Sequence, residues 1–403
     1  MQNEKPNAAQ NGLSTKLQIS QAFDSGNIEV VSADDPMDIQ LNIRKDNNSD
    51  FYQWFYFRVS SVADQQLKIR ILNAAGAAYP EGWNNYQVCY SYDRQRWYRL
   101  GTTYEDGELS FGLTLQHGLI YFSYFAPYSM EQHHNLITFA QHAKRCSHSV
   151  LGQTLDGQDI DLLTFSRNDG KERLKCWIMA RQHPGETMGE WWMEGFIDAL
   201  MGGSKEIAKA VLNVADVYII PNMNPDGSRR GHLRTNAAGR NLNREWAEPS
   251  MEASPEVFIV KQAMLETGVD FFLDVHGDES LPYCFIAGTE GLANWSEKQQ
   301  AQLDYFKDRL LQLNPDFQVN EGYPPKQPGQ ANMTMSTAQT AHLHDCLAMT
   351  LEMPFKDTID TPDARYGFSI GRSERLGRAC LEAMLDYLDS GLIDKKIGSI
   401  QIS

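Results

Sequence analysis

His183 and Glu186, separated by Pro184 and Gly185, set an imidazole and a carboxylate three residues apart in a turn. Both groups are zinc ligands, and a catalytic zinc takes three protein ligands while keeping a fourth position open for water. His-x-x-Glu also recurs by chance, and taken alone it reads more readily as a polar turn. Two distant segments change that balance. His276 stands in Asp274-Val275-His276-Gly277, and Glu352 stands in Thr350-Leu351-Glu352-Met353. Two histidines and a carboxylate favour zinc over magnesium or calcium. Glu352 is a lone acid in an apolar run; a buried acid needs a partner or a raised pKa, and beside water at a metal it is placed as a general base. The plainer alternatives are a core histidine at 276 and a solvent-facing glutamate at 352.

Five arginines, at 229, 230, 234, 240 and 244, crowd the stretch that follows Asn224-Pro225-Asp226-Gly227. Such a cluster offers guanidinium forks for a carboxylate or an oxyanion. Asn241 and Asn243 are interleaved with it. Arg229 and Arg230 also read as ordinary surface charges.

These residues need strands to carry them. The apolar run Cys176 to Ala180 stops just before His183, Val269 to Val275 delivers His276, and Leu347 to Met353 contains Glu352. In open α/β sheets, ligands collect beyond the carboxyl ends of strands. Val214 to Ile220 predicts another buried strand. Helices are predicted from Met188 to Gly202-Gly203, after the Ser254-Pro255 cap to Gly268, from Trp295 to Leu313 and from Ser369 to Ser390. The stretch from Asn314 to Thr340 is long and rich in Gly, Pro and Gln. The alternation predicts an α/β domain over 127–403, with a mixed central sheet flanked by helices.

The front of the chain differs. Residues 1–16 are polar and read as a mobile leader, whereas 17–126 hold short alternating segments separated by turns such as Asp106-Gly107. This predicts an antiparallel β-sandwich domain with no metal or nucleophile constellation of its own.

With 42% hydrophobic residues the chain can build a core, and no apolar run nears the roughly 20 residues of a membrane span. No signal peptide is evident at the N-terminus, and the six dispersed cysteines look reduced, so a soluble, cytoplasmic protein is expected. The net charge of −16 argues against nucleic-acid partners.

Together, His183-Pro-Gly-Glu186, Asn224-Pro-Asp-Gly227, Arg234, Asn243-Arg244, His276 and Thr350-Leu-Glu352 resemble the zinc metallocarboxypeptidase family, in the branch called cytosolic carboxypeptidases. Phe23-Asp-Ser-Gly-Asn27, Trp54-Phe-Tyr-Phe-Arg58 and Phe125-Ala-Pro-Tyr128 resemble the β-sandwich that precedes the catalytic domain in that branch. The resemblance implies one zinc per chain on His183, Glu186 and His276, with Glu352 activating water. Arg234 would polarise the scissile carbonyl, and Asn243 and Arg244 would hold the terminal carboxylate of a peptide or protein substrate. Two positions depart from it. Asn241 stands where many relatives have an Asp that orients a zinc histidine, and no substrate-facing Tyr aligns securely, Tyr323 being the candidate. Members of the branch often release acidic residues, which needs a basic group in the side-chain pocket; Lys326, Arg229, Arg230, Arg240, Arg365 and Arg372 are candidates. Amide hydrolysis on small N-acyl amino acids and a non-catalytic binding role are the rival functions. Nothing in the sequence sets the oligomeric state.

Overall fold

A computed structural model describes residues 17–203 and 205–393; the expected leader over 1–16 lies outside the described residues. Short strands open the chain: β1 (Gln18–Ser20), β2 (Glu29–Ser32), β3 (Ile39–Asn42), β4 (Tyr56–Ser60), β5 (Gln66–Ile71), β6 (Val88–Ser91), β7 (Tyr98–Leu100), β8 (Thr102–Glu105), β9 (Glu108–Thr114) and β10 (Leu119–Ser123). They form two five-stranded sheets, ordered β1-β4-β10-β6-β7 and β2-β3-β5-β9-β8. The alternation of β5, QLKIRI, buries Leu67, Ile69 and Ile71 and leaves the residues between them more exposed, as a strand with one face on a core must. Phe111 of the second sheet meets Phe122 of the first with ring centroids 5.3 Å apart. All pairings are antiparallel except β3 with β5, which run parallel. Strands β1, β3 and β8 are each only three or four residues long, too short to show an alternation in the sequence.

After helix α1 (Met130–Ala140), capped by Ser129 and Gln132, strands and helices alternate. Seven strands, β11 (Cys146–Gln153), β12 (Asp159–Phe165), β13 (Leu174–Ala180), β14 (Ala215–Ile220), β15 (Phe271–Asp278), β16 (Phe285–Ala287) and β17 (Leu347–Pro354), form one sheet ordered β11-β12-β14-β13-β15-β17-β16. The pairs β13/β14, β13/β15 and β15/β17 are parallel, and the outer strands are antiparallel, so the sheet is mixed as expected. Strands β15 and β17 are buried along their whole length. The helices are α2 (Met188–Asp198), α3 (Lys205–Val214), α4 (Pro225–Arg230), α5 (Pro255–Thr267), α6 (Glu297–Leu313), α7 (Ser336–His344) and α8 (Ile370–Asp389). Helix α7 begins inside the Gly-, Pro- and Gln-rich stretch from Asn314 to Thr340, where the sequence reading placed no helix.

Helices α2 and α8 cross where Gly195 and Gly377 meet. A Cβ on Gly377 would strike the carbonyl of Trp192, and one on Gly195 the carbonyl of Glu374. Neither backbone can yield cheaply in a packed core. Gly377→Ala is therefore expected to cost about 1–3 kcal/mol of stability by overpacking, read as a lower melting temperature.

Candidate metal centre

Strand β13 ends at Ala180, and the next residue turns the chain: Arg181 adopts the left-handed conformation, φ 58°. Its buried guanidinium bonds the Pro184 carbonyl and the Glu190 carboxylate, each at 2.5 Å, which holds the His183–Glu186 turn from below. Gly185 donates its N–H to Leu233 O at 2.8 Å, so near that a side chain there would press on the Leu233 backbone. The turn is thus fixed against both its own strand and the loop that carries Arg234.

The structure brings three candidate ligand residues together. His183 Nδ1 lies 2.7 Å from Glu186 Oε1, His276 Nδ1 lies 2.8 Å from Glu186 Oε2, and the two Nδ1 atoms are 3.1 Å apart. Ligands about 2.0–2.1 Å from a tetrahedral zinc stand about 3.3 Å from each other, which the two nitrogens approach, while the carboxylate oxygens sit at hydrogen-bond distance from them. Charge fits as well: the carboxylates of Glu186 and Asp274 are both buried here, and dry carboxylates need a cation.

The outer nitrogens are held too. Asn241 Oδ1 receives the Asn243 backbone N–H at 3.1 Å, which orients its amide, and His183 Nε2 sits 3.0 Å from the same oxygen. Nε2 must therefore be the donor, leaving the Nδ1 lone pair for a metal. The amide at 241 does the positional work of a carboxylate while adding less basicity. Burial, then Arg234, lower the His183 pKa to about 4, so its ring is held neutral, the form that binds metal.

Asp274, which sequence reasoning left without a role, is a hub. Its Oδ2 accepts Gln182 Nε2 at 2.6 Å and Ser336 Oγ at 2.5 Å. It also lies 2.8 Å from His276 Nε2, close enough to attract but off the line of a good hydrogen bond. Ser336 N in turn donates to Asn243 Oδ1 at 2.9 Å. One carboxylate thus ties the turn before His183, the ring of His276 and the Asn243 segment together. The only sequence signal was an acid two residues before a strand-end histidine, on the same face.

Parallel register sets Glu352 beside His276. Glu352 Oε1 faces Tyr323 Oη at 3.3 Å, and Oε2 is buried with no partner among the described residues. Burial first, then Glu186, Asp278 and Glu279, push its pKa well above the carboxylate range, with His276 opposing. Tyr323 donates to Asp278 Oδ2 at 2.5 Å and packs edge-on against Phe285, so the candidate tyrosine does reach the site.

A cavity of about 1010 Å³ adjoins the three ligands and is lined also by Arg234, Asn243, Arg244 and Glu352. Neither Arg234 nor Arg244 forms a salt bridge among the described residues, whereas Arg230 pairs with Asp156 and Arg240 with Glu245. Desolvation, then the neighbouring Arg234, lower the Arg244 pKa. Of the basic residues proposed for a side-chain pocket, Lys326 lines the cavity; Lys307, not considered from sequence, does so too. Arg365 stacks on Tyr98 and Tyr366, and Arg372 pairs with Asp316.

Beneath Arg181, His133 is buried between Glu190, 2.7 Å from Nδ1, and Asp161, 3.0 Å from Nε2. Burial lowers its pKa, but the two carboxylates outweigh it and raise the value to about 9. A raised folded-state pKa stabilises fully below the unfolded value near 6.5 and is lost as pH rises through about 9. The stability advantage of the wild type over His133→Gln is expected to be greatest below pH 6.5, where the charge contributes on the order of 3 kcal/mol, and to lose that contribution above about pH 9, read from melting temperatures across pH.

Known proteins match both parts of the chain. Residues 19–125 match the cytosolic carboxypeptidase N-terminal domain, and residues 135–371 match the zinc carboxypeptidase family. A metallo-carboxypeptidase from Burkholderia cenocepacia is 42% identical, with a TM-score of 0.91 over 93% of this chain and 100% of its own. A metallo-carboxypeptidase from Pseudomonas aeruginosa, solved with (2-guanidinoethylmercapto)succinic acid, is 42% identical, with a TM-score of 0.90 over 92% of this chain and 100% of its own. Cytosolic carboxypeptidase 6 of Caenorhabditis elegans is 26% identical over 92% of this chain and 86% of its own length. No described helix is long and apolar enough to cross a membrane. The chain belongs to the zinc carboxypeptidases and carries the N-terminal domain of their cytosolic branch.

Proposed function

We propose that this chain hydrolyses the C-terminal peptide bond of a peptide or protein in the cytoplasm, using one zinc ion held by His183, Glu186 and His276. Zinc in such a site supplies Lewis acidity and makes water a better nucleophile at neutral pH. Glu352 takes the proton that water loses as its oxygen attacks the scissile carbonyl carbon, and returns it to the departing amine nitrogen. Arg234 faces the carbonyl oxygen as negative charge develops on it. Asn243 and Arg244 receive the terminal carboxylate, a planar anion suited to a guanidinium fork. The observation that carries this reading is a pair of guanidinium groups without salt bridges among the described residues, lining the same cavity as three converged ligand atoms, in a chain of net charge −16.

The reading extends to acidic C-terminal residues, supported by Lys326 and Lys307 in the cavity wall; Glu290 and Glu321 line it as well. Zinc-loaded enzyme should be given a peptide library with varied C-terminal residues, alongside N-acetyl-aspartate and N-succinyl-glutamate, with products read by mass spectrometry. Loss of a single C-terminal Glu or Asp is expected. Release of Lys or Arg instead would overturn the acidic preference alone, and cleavage confined to the small amides would overturn the peptidase reading.

A further inference from the structure

The segment carrying Arg234 is built largely by residues that precede the catalytic domain. Asp46 follows β3 and is 3% exposed. Its Oδ1 accepts the N–H of Leu233 at 2.7 Å, and its Oδ2 accepts the N–H of Arg234 at 2.8 Å, the N–H of Thr235 at 2.9 Å and Thr235 Oγ1 at 3.0 Å. Three successive backbone donors thus converge on one carboxylate, a concave arrangement that binds an anion and fixes the chain around it. Asp46 is itself fixed, because its N–H donates to Phe51 O at 2.8 Å.

Neighbouring contacts extend the grip. Asn27 Nδ2 donates to Gly231 O at 2.8 Å, and Asn47 Oδ1 meets His232 Nε2 at 2.7 Å. On the opposite side Leu233 O accepts from Gly185 within the metal-side turn. The guanidinium of Arg234 then lies over the rings of Phe51 and Tyr79, 5.7 and 5.3 Å from their centroids. Such cation–π contacts place the charge without neutralising it, as a salt bridge would. Both the backbone and the charged tip of Arg234 are therefore set by the N-terminal sheets, while the side chain lines the substrate cavity.

We infer that Asp46 is a positioning residue for Arg234, and that the N-terminal domain serves the reaction by completing this side of the active site. The inference rests on the role given to Arg234 under the proposed function. Without the Asp46 carboxylate, three adjacent buried N–H groups lose their acceptor and the segment must rearrange to find others. A shift of about 1 Å in a group aimed at a developing charge is enough to cost on the order of 100-fold in rate.

The test uses zinc-loaded full-length enzyme and four proteins: wild type, Asp46→Asn, Arg234→Ala and the double variant. Asp46→Asn is expected to lower kcat by about 10- to 100-fold with little change in KM, because the contact it supports strengthens only as charge develops. Zinc content is expected to stay near wild type, with a lower melting temperature from the acceptor lost to the buried N–H groups. In the Arg234→Ala background the same change is expected to cost less than about 3-fold, since the residue it positions is gone. An equal fractional loss in both backgrounds would overturn the inference and leave Asp46 a stabilising residue, as would wild-type kcat in Asp46→Asn. Wild-type turnover in Arg234→Ala would instead overturn the role of Arg234 itself. If Asp46→Asn does not fold, Thr235→Val removes one of the four bonds, and the comparison across backgrounds is unchanged; a loss of about 2- to 5-fold confined to the Arg234 background is expected.

Discussion

Glu352→Gln is expected to lower kcat by about 10²- to 10⁴-fold while leaving zinc content and KM close to wild type. Gln has nearly the shape of Glu and can keep the Tyr323 contact, but its amide cannot accept a proton at neutral pH. The size of the effect follows from position. Parallel register sets Glu352 next to His276, and its Oε2 is buried without a partner among the described residues. Burial and the carboxylates of Glu186, Asp278 and Glu279 make Glu352 a stronger base than an exposed glutamate. The same crowding costs stability in the metal-free protein, so the Gln variant should melt no lower than wild type. Steady-state kinetics with metal analysis checks both halves. Turnover within about threefold of wild type would exclude Glu352 as the base and direct attention to Asp278 and Glu279, which line the same cavity.

Much of this centre was legible because strand-borne chemistry leaves a local mark. An apolar run that stops at a histidine, or contains a single acid, can be read without knowing the rest of the chain. His183, His276 and Glu352 all have that form, and β13, β15 and β17 fall where the runs predicted them. What supports them left little mark. Asp274 joins Gln182, 92 residues before it, to Ser336, 62 residues after it, and neither pairing has a spacing to recognise. Asp46 reaches Leu233 across 187 residues. The N-terminal sheets show no functional motif in the sequence because their contribution lies in hydrogen bonds to another segment's backbone, which no side-chain motif encodes. Helix α7 was missed for a different reason: STAQTAHLH has almost no apolar periodicity, and packing against β15 and β17 stabilises it instead of an amphipathic face.

Removing a ligand should separate metal binding from folding. His276→Ala takes one of three donors from a site whose remaining pair, His183 and Glu186, lies on a single turn. It also leaves Asp274, which is fully buried, without the imidazole beside it. Dialysed protein is therefore expected to carry almost no zinc and to show no measurable peptidase turnover, whereas the wild type is expected to keep one zinc per chain. Because a ligand that binds the folded state raises its stability with concentration, added zinc should raise the melting temperature of the apo wild type and leave that of His276→Ala nearly unchanged. Asp274→Asn is the informative contrast. It keeps all three donors but weakens the hub that orients them, so zinc affinity should fall by about 10- to 100-fold without being abolished. A zinc-dependent rise in His276→Ala equal to that of the wild type would place the ion elsewhere. An Asp274→Asn affinity equal to wild type would mean that Gln182, Ser336 and the strand itself suffice to hold His276.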